Sequence, residues 1–169
     1  MKIAMVLAAL LCGAALASAQ SLFTVSLNGA NERPNPNTSP AIGSGTLTLN
    51  ANNSLSYNIS YSGLTADWTA NHIHGPATTA QSAGVLFTLN HTPITTRSGQ
   101  LIGTTPILNA SQLTQLNSEL WYVNIHSVGQ FSGGEIRGQI VPVPEPSTWA
   151  LMGFGAMGTL WYVRRRRMS

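Results

Sequence analysis

The sequence predicts an all-β fold, an antiparallel sandwich or barrel, and three observations support this. Alternating apolar and polar residues dominate residues 20–141, and this is the side-chain period of a half-buried strand. Residues typical of turns, mostly Gly, Pro, Asn and Ser, separate the alternating segments at near-regular spacing. Only one short segment has helical spacing. We therefore expect one domain of short strands around an apolar core.

The first half of the domain begins with a strand at residues 23–27, where Phe and aliphatic residues alternate with Thr and Ser. Residues 30–45 are rich in Pro, Asn, Ser and Gly, which predicts a long exposed loop. Two alternating segments follow within residues 45–62, with Asn52-Asn53 between them. This spacing predicts a β-hairpin.

The second half adds shorter strands and the single helix candidate. Strands are predicted at residues 71–75, 85–89, 99–104, 120–126 and 134–141. Ser111 can cap a short helix over 111–120, in which three leucines recur at helical spacing.

The N-terminal residues 1–19 have the three parts of a secretory signal peptide. Lys2 precedes an apolar run that is too short to span a bilayer, and Ala17-Ser18-Ala19 offers signal peptidase a cleavage site before Gln20. The only cysteine, Cys12, lies inside this segment, so the mature chain needs no disulfide.

The C-terminal residues 147–163 carry no charge, and as a helix they would rise roughly 25 Å, enough for a short transmembrane helix. Four arginines follow directly: Arg164, Arg165, Arg166 and Arg167. Since such a cluster resists translocation, we expect this end to stay cytoplasmic and the domain to lie outside.

This C-terminal pattern resembles the PEP-CTERM sorting signal of Gram-negative bacteria. Pro144, Glu145 and Pro146 precede the apolar span and the arginines, in the order that defines the signal. The resemblance implies an exosortase-like partner that cuts near this motif. The expected organisation is therefore a signal peptide at 1–19, a domain at 20–141 and a sorting segment at 142–169. We expect a transient inner-membrane anchor with a periplasmic domain, followed by release to the cell surface or exterior.

Charge is scarce in the domain. Residues 20–141 contain three arginines and four acidic residues, so their net charge is about −1. The other basic residues of the chain lie near its two ends. The domain has no basic patch, so we expect no nucleic-acid partner.

Three of the four histidines are predicted to share one face of the sheet. His72 and His74 are two residues apart in a strand, so their side chains point the same way while Ile73 points to the core. By the same alternation, His126, Glu135 and Arg137 point outward from the last two strands.

Two interpretations of these histidines remain open at this stage. Three neutral imidazoles can bind a copper or zinc ion, with His72, His74 and His126 as ligands. Alternatively, they are structural and hydrogen-bond to Glu135 or to loop carbonyls. His91 lies in a turn-like segment and is expected to be a solvated loop residue, whereas Glu32 could approach the cluster from the long loop.

Glu135 and Arg137 are expected to form a local ion pair, or hydrogen bonds that hold nearby loops, on an exposed face. The chain has no Gly-rich phosphate loop, no G-x-S-x-G and no C-x-x-C motif. No catalytic residue is therefore predicted.

The domain also resembles the CHRD domain, the module named after chordin, over residues 22–141. The matching segments are FTVSLNGANERP (23–34), AIGSGTLTLN (41–50), LSYNISYSGL (55–64), NHIHGPA (71–77), LWYVNIHS (120–127) and GGEIRGQI (133–140). The resemblance implies an immunoglobulin-like or Greek-key β-structure in an extracellular setting, without a catalytic activity.

The H-x-H pair is similar to the copper ligands of copper–zinc superoxide dismutases. That similarity implies three copper ligands at His72, His74 and His126, and an anion-guiding role for Arg137. A bridging histidine, the zinc-ligand loop and the disulfide cysteines are all absent from the sequence. The similarity therefore favours a superoxide-dismutase-like fold and a mononuclear site over dismutase activity.

Two functions follow. The first is an exported, non-enzymatic binding module of the cell surface or matrix, with exopolysaccharide or surface proteins as partners. Its expected contacts are loop 30–45 and the outer faces rich in Asn and Thr. The alternative is a periplasmic copper- or zinc-binding protein with redox chemistry at the three-histidine site.

Overall fold

The computed structural model describes residues 21–144, and nearly all of its regular structure is β-strand. Strands β1 to β10 span Leu22–Asn28, Ile42–Leu49, Leu55–Ser62, Trp68–His74, Val85–Thr88, His91–Thr95, Ser98–Thr104, Tyr122–Ser127, Ile136–Gln139 and Val141–Pro142. One helix, α1, spans Ala110–Asn117, and two 3-10 turns cover Gly29–Asn31 and Gly129–Phe131. The all-β prediction is confirmed.

All strands belong to one antiparallel sheet with the order β5-β4-β8-β9-β1-β2-β3-β7-β6, and β10 pairs with β1. The chain therefore crosses between the two halves of the sheet after β3, after β5 and again after β7. We call β5-β4-β8-β9 the short half and β1-β2-β3-β7-β6 the long half.

The sheet curls until its two edges come close, which makes it a half-barrel. Its edge strands, β5 and β6, are separated in the chain by only Leu89 and Asn90. A backbone hydrogen bond of 2.7 Å from Trp68 to Thr96 also joins the start of β4 to the β6–β7 turn. Curling lets one sheet cover its own apolar face, so no second layer is needed.

The two halves meet where β9 crosses β1, and only one residue pair, Asn28 with Arg137, is in register there. Gly138 allows this close crossing, because a side chain at this position would overlap the carbonyl oxygen of Ser26. Further along β1, Phe23 and Thr24 pair instead with β10.

The core lies inside the curled sheet and draws on both halves. Its fully or almost fully buried residues include Phe23, Val25, Leu27, Leu47, Leu55, Ile59, Ile73, Leu101, Trp121, Val123, Ile125, Ile136 and Ile140. In each strand these alternate with residues that face outward, as the sequence predicts. The helix α1 closes one side through Leu116, which is fully buried.

Several predicted elements need correction. The first strand of the predicted hairpin already begins at Ile42, because residues 42–45 pair with both β1 and β3. The segment around His91 forms strand β6 and was not predicted as a strand. The helix is capped by Asn109, whose side chain accepts from the backbone N–H of Gln112, so the predicted cap Ser111 is wrong.

The signal peptide at 1–19 and the helix at 147–163 lie outside the described residues. Within residues 21–144, no helix is long and apolar enough to cross a bilayer.

Candidate metal centre

The three predicted histidines come together on the outer face of the short half. Strands β4 and β8 are paired so that His72 lies opposite Asn124 and His74 opposite Tyr122. His126 lies opposite Ala70, one step further along the same face. Since residues two apart in a strand share a face, this register brings all three imidazoles to one side of the sheet.

The three imidazole rings lie close enough together to form a candidate metal site. His72 Nδ1 and His126 Nε2 are 3.3 Å apart. Each histidine offers one nitrogen, and these three nitrogens all lie within 4.8 Å of one another. Nitrogen ligands about 2.0–2.1 Å from a tetrahedral zinc ion are roughly 3.4 Å apart, so the closest pair already has this spacing and the widest spacing has to shorten through side-chain movement.

Backbone carbonyls determine which nitrogen of two of these rings carries the proton, and His126 Nε2 is then left to accept a hydrogen bond from His72 Nδ1. His74 Nδ1 lies 3.0 Å from the carbonyl oxygen of Ala83, and His126 Nδ1 lies 3.0 Å from that of Ser132. A carbonyl only accepts, so each Nδ1 carries the proton and each Nε2 keeps its lone pair. Carbonyl partners of this kind orient the histidine ligands of metal sites.

His74 Nε2 has no hydrogen-bond partner, although the residue is only 8% exposed. A buried acceptor without a partner costs about 1–3 kcal/mol, so most are satisfied. Because the Ala83 carbonyl holds the other nitrogen, the ring cannot turn to relieve this without losing that bond.

The surroundings keep the imidazoles neutral. Burial lowers the pKa of His74 to about 4, and Arg137 and the other two histidines act in the same direction. Burial also lowers the pKa of His72 and of His126. Neutral imidazole is the form that coordinates a metal, so the cluster needs no deprotonation near neutral pH.

A stacked column flanks the cluster. The Tyr122 ring packs parallel to His74, with centroids 5.0 Å apart, and the guanidinium carbon of Arg137 lies 3.5 Å from the centre of the Tyr122 ring. The Tyr122 hydroxyl donates to the same Ala83 carbonyl that His74 uses. The column therefore fixes His74 from its ring face as well as from Nδ1.

Glu135 and Arg137 lie in different environments and both are buried, whereas an exposed face was expected. Glu135 accepts hydrogen bonds from Ser39, Thr65 and Ser127. Burial raises its pKa, but these bonds outweigh that effect and the pKa lies below its usual value. Arg137 donates to the Thr78 carbonyl. Within residues 21–144 no ion pair joins the two residues.

His91 lies away from the cluster and is not the solvated loop residue that the sequence predicts. Its Nε2 is 2.7 Å from the Tyr61 hydroxyl, and its ring stacks on Trp68 with centroids 3.8 Å apart. It belongs to the contacts that join β6 to the start of β4.

The long loop does bring Glu32 beneath the outer face, where it accepts from Asn124 Nδ2 at 3.3 Å. Sequence reasoning missed the carbonyls of Ala83 and Ser132, and no residue type signals them, because every residue carries a carbonyl. Only the path of their loops brings them to the histidines.

Comparison with known families identifies the domain that carries these histidines. The profile of the CHRD domain matches residues 23–140. The chain belongs to the CHRD domain family. The three histidines lie inside the matched range of this CHRD domain. No curated protein and no solved structure matches the chain.

A second match, to the PEP-CTERM protein-sorting motif, follows the CHRD domain at residues 142–167. This motif is the membrane-anchored C-terminal sorting signal of exported proteins in Gram-negative bacteria, and it is processed by exosortase. The combination is typical of an exported module, and it favours a non-catalytic role.

Proposed function

We propose that this CHRD domain is an exported metal-binding module that holds one copper or zinc ion through His72, His74 and His126. The observation that carries the proposal is His74 Nε2, a buried lone pair with no partner. Its ring is held at the other nitrogen by Ala83, and it faces two further imidazoles. The structural alternative for the histidines accounts for the two carbonyl contacts and for the hydrogen bond between His72 and His126, and it leaves only His74 Nε2 without a role.

The ligand chemistry selects the class of metal. All three donors are imidazole nitrogens, which suit Zn and Cu, whereas Mg and Ca prefer oxygen ligands. Three protein ligands also leave a coordination position for water or another group. The tyrosine and arginine beside the cluster would shield one side of the ion. We assign the module a binding role, since three imidazoles suffice to hold an ion and the CHRD and PEP-CTERM matches favour a non-catalytic exported module.

The location completes the proposal. Signal peptidase removes residues 1–19, the segment 147–163 holds the chain in the inner membrane, and the domain at 20–141 lies in the periplasm. Exosortase then acts near Pro144-Glu145-Pro146 and leaves the domain at the cell surface or outside. Strand β10 is the last described strand and ends at Pro142, two residues before Pro144. The sorting motif therefore follows the domain directly.

The test is a metal titration of the full-length chain in detergent, stripped with EDTA and then given Cu(II) or Zn(II). We expect one ion per chain, and nitrogen hyperfine structure in the Cu(II) electron paramagnetic resonance spectrum. His74→Gln should weaken binding by more than about 100-fold, since loss of a ligand exceeds the 10- to 100-fold effect of losing an outer-shell partner.

His91→Gln is the matched control, because it removes a ring nitrogen from the same sheet at a distance from the cluster. It should leave affinity and spectrum unchanged. Stoichiometry that survives both His74→Gln and His126→Gln would contradict the proposal, as would absence of binding at micromolar metal.

A further inference from the structure

A cavity lies near the histidine cluster, between two loops on the same outer face. Residues 32–37 form one wall and residues 130–134 the other, and they enclose about 280 Å³. Ligand pockets usually measure about 300–1,000 Å³. This cavity lies just below that range, so it suits a small ligand such as a single ring. It shares no residue with the three proposed metal ligands.

Glu32 lines this cavity, although a carboxylate is rarely buried so deeply. The side chain is only 4% exposed, and its Oε1 has no hydrogen-bond partner. Its Oε2 has one long contact, 3.3 Å from Asn124 Nδ2. Burial raises the pKa of Glu32 to about 7, and Arg137 and Asn124 offset this only in part. The carboxyl group therefore lacks hydrogen-bond donors, and because Oε1 is closed to water, a ligand supplies them only with a small shift of the flanking loops.

Gly134 lets the second loop close over this carboxyl group. Its φ is +141°, a conformation that residues with side chains rarely adopt. A Cβ there would lie 2.8 Å from Glu32 Oε2 and 2.7 Å from the Asn124 amide. The close approach is thus built into the backbone of the cavity.

The remaining walls combine apolar and polar groups. Phe131, half-buried at the end of a 3-10 turn, offers an aromatic surface, and two prolines of loop 32–37 add apolar edges. Arg33 and Gln130 provide hydrogen-bond donors at the rim. A few fixed polar groups in an otherwise apolar concavity are typical of small-molecule sites.

The charges of the cavity favour neither sign of ligand. Its lining carries one group of each sign, Arg33 and Glu32, so a cation or an anion gains nothing from the net charge. A neutral ligand needs no such gain and can donate hydrogen bonds to Glu32. An apolar ring face would pack on Phe131.

From these features we infer that the cavity between residues 32–37 and 130–134 binds one neutral sugar ring, with Glu32 accepting its hydroxyls and Phe131 packing on its C–H face. The ring can be a free monosaccharide or an exposed unit of a polysaccharide. This site is separate from the metal site and narrows the expected contact with exopolysaccharide from the whole loop 30–45 to one cavity.

The test is saturation-transfer-difference NMR on the full-length chain in detergent. The probes are D-glucose, D-galactose, D-mannose and N-acetyl-D-glucosamine at millimolar concentration, and each active sugar is then competed with a polysaccharide built from it. We expect transfer to at least one monosaccharide. Displacement by the polysaccharide identifies a polymer unit as the source, and its absence identifies the free sugar.

Two variants and one control locate the binding. Glu32→Gln should raise the Kd about fivefold, because an ordinary hydrogen bond contributes about 0.5–1.5 kcal/mol. Phe131→Ala should also raise the Kd, because it removes the surface on which the ring packs. Glu119→Gln, the matched change of an exposed glutamate, should have no effect. Phe131 is a half-buried loop residue, so its removal leaves the core intact.

Transfer to none of the sugars would overturn the inference, and so would transfer that neither variant changes. The experiment is repeated with EDTA and with His74→Gln. Sugar binding should persist in both, so failure of the metal proposal would not remove it, and failure of sugar binding would leave the metal titration unaffected.

Discussion

The two outer faces of this one sheet differ sharply in exposure. On the long half, outward residues such as Ser44, Thr46, Asn58 and Ser60 are exposed and uncharged. On the short half, the outward residues His74, Asn124 and Arg137 are buried. Glu32, which belongs to one of the loops that cover them, is buried as well. Both faces obey the same alternation of side chains, so the strands themselves do not cause the difference.

The difference comes from the loops. Residues 75–84 lie over the short half, where their carbonyls bind His74, Arg137 and Gln139. Residues 32–41 cover the same face from the other side, and Ser82 joins the two loops through a hydrogen bond to the Arg33 carbonyl. A polar face covered in this way loses water, and its groups must find partners or bind ligands.

The largest expected effect comes from loosening the covering loop. Glu135 accepts from Ser39 of this loop, from the backbone of Thr65 and from Ser127. In Glu135→Gln one carboxylate oxygen becomes an N–H₂ group that faces either Ser127 or the Ser39 and Thr65 donors, and we expect the free energy of unfolding to fall by up to about 3 kcal/mol. Urea denaturation measures this, with Glu119→Gln as the exposed control. Equal stability of the two variants would show that the loop is held elsewhere.

A smaller effect is expected on the way the free energy of unfolding changes with pH. Burial raises the pKa of Glu32 from 4.5 to about 7. Between these values the folded chain holds a proton that the unfolded chain has released, so the free energy of unfolding falls as pH rises through this window. The loss should reach about 3 kcal/mol at most, and less if water enters the cavity.

Glu32→Gln cannot titrate, so it isolates this contribution. The histidines favour the opposite slope, because burial lowers the pKa of His74 to about 4, but they do so in both chains. The variant should gain stability relative to the parent between pH 4.5 and 7. Urea denaturation at several pH values measures the difference, and a flat difference would mean that Glu32 is well solvated.

The smallest effect is expected on the open face of the long half. Ser60 is exposed there, and its hydroxyl makes no hydrogen bond with another residue of the described range 21–144. Ser60→Ala should change the free energy of unfolding by less than about 0.5 kcal/mol. A loss above 1 kcal/mol, measured by the same urea titration, would indicate that this face is also covered in solution.

Much of the architecture could be read from alternation alone. The strands around Phe23, Ile73 and Ile125 and the hairpin of β2 and β3 follow their apolar pattern, because a strand with one buried face repeats every two residues. Strand β6 was missed, since His91-Thr92-Pro93 contains turn-favouring residues and the strand is an edge strand, where proline is tolerated.

The sequence by itself determined which side of its strand each histidine occupies, since this depends only on the spacing of residues in a pleated backbone. The tertiary structure alone decided that β4 pairs with β8, which brings His126 to the other two, and that loop carbonyls select the protonated nitrogens. It also decided that Glu32, Glu135 and Arg137 are buried. The reason is physical: burial and pairing depend on segments far apart in the chain, and local periodicity carries no information about which loop will cover which face.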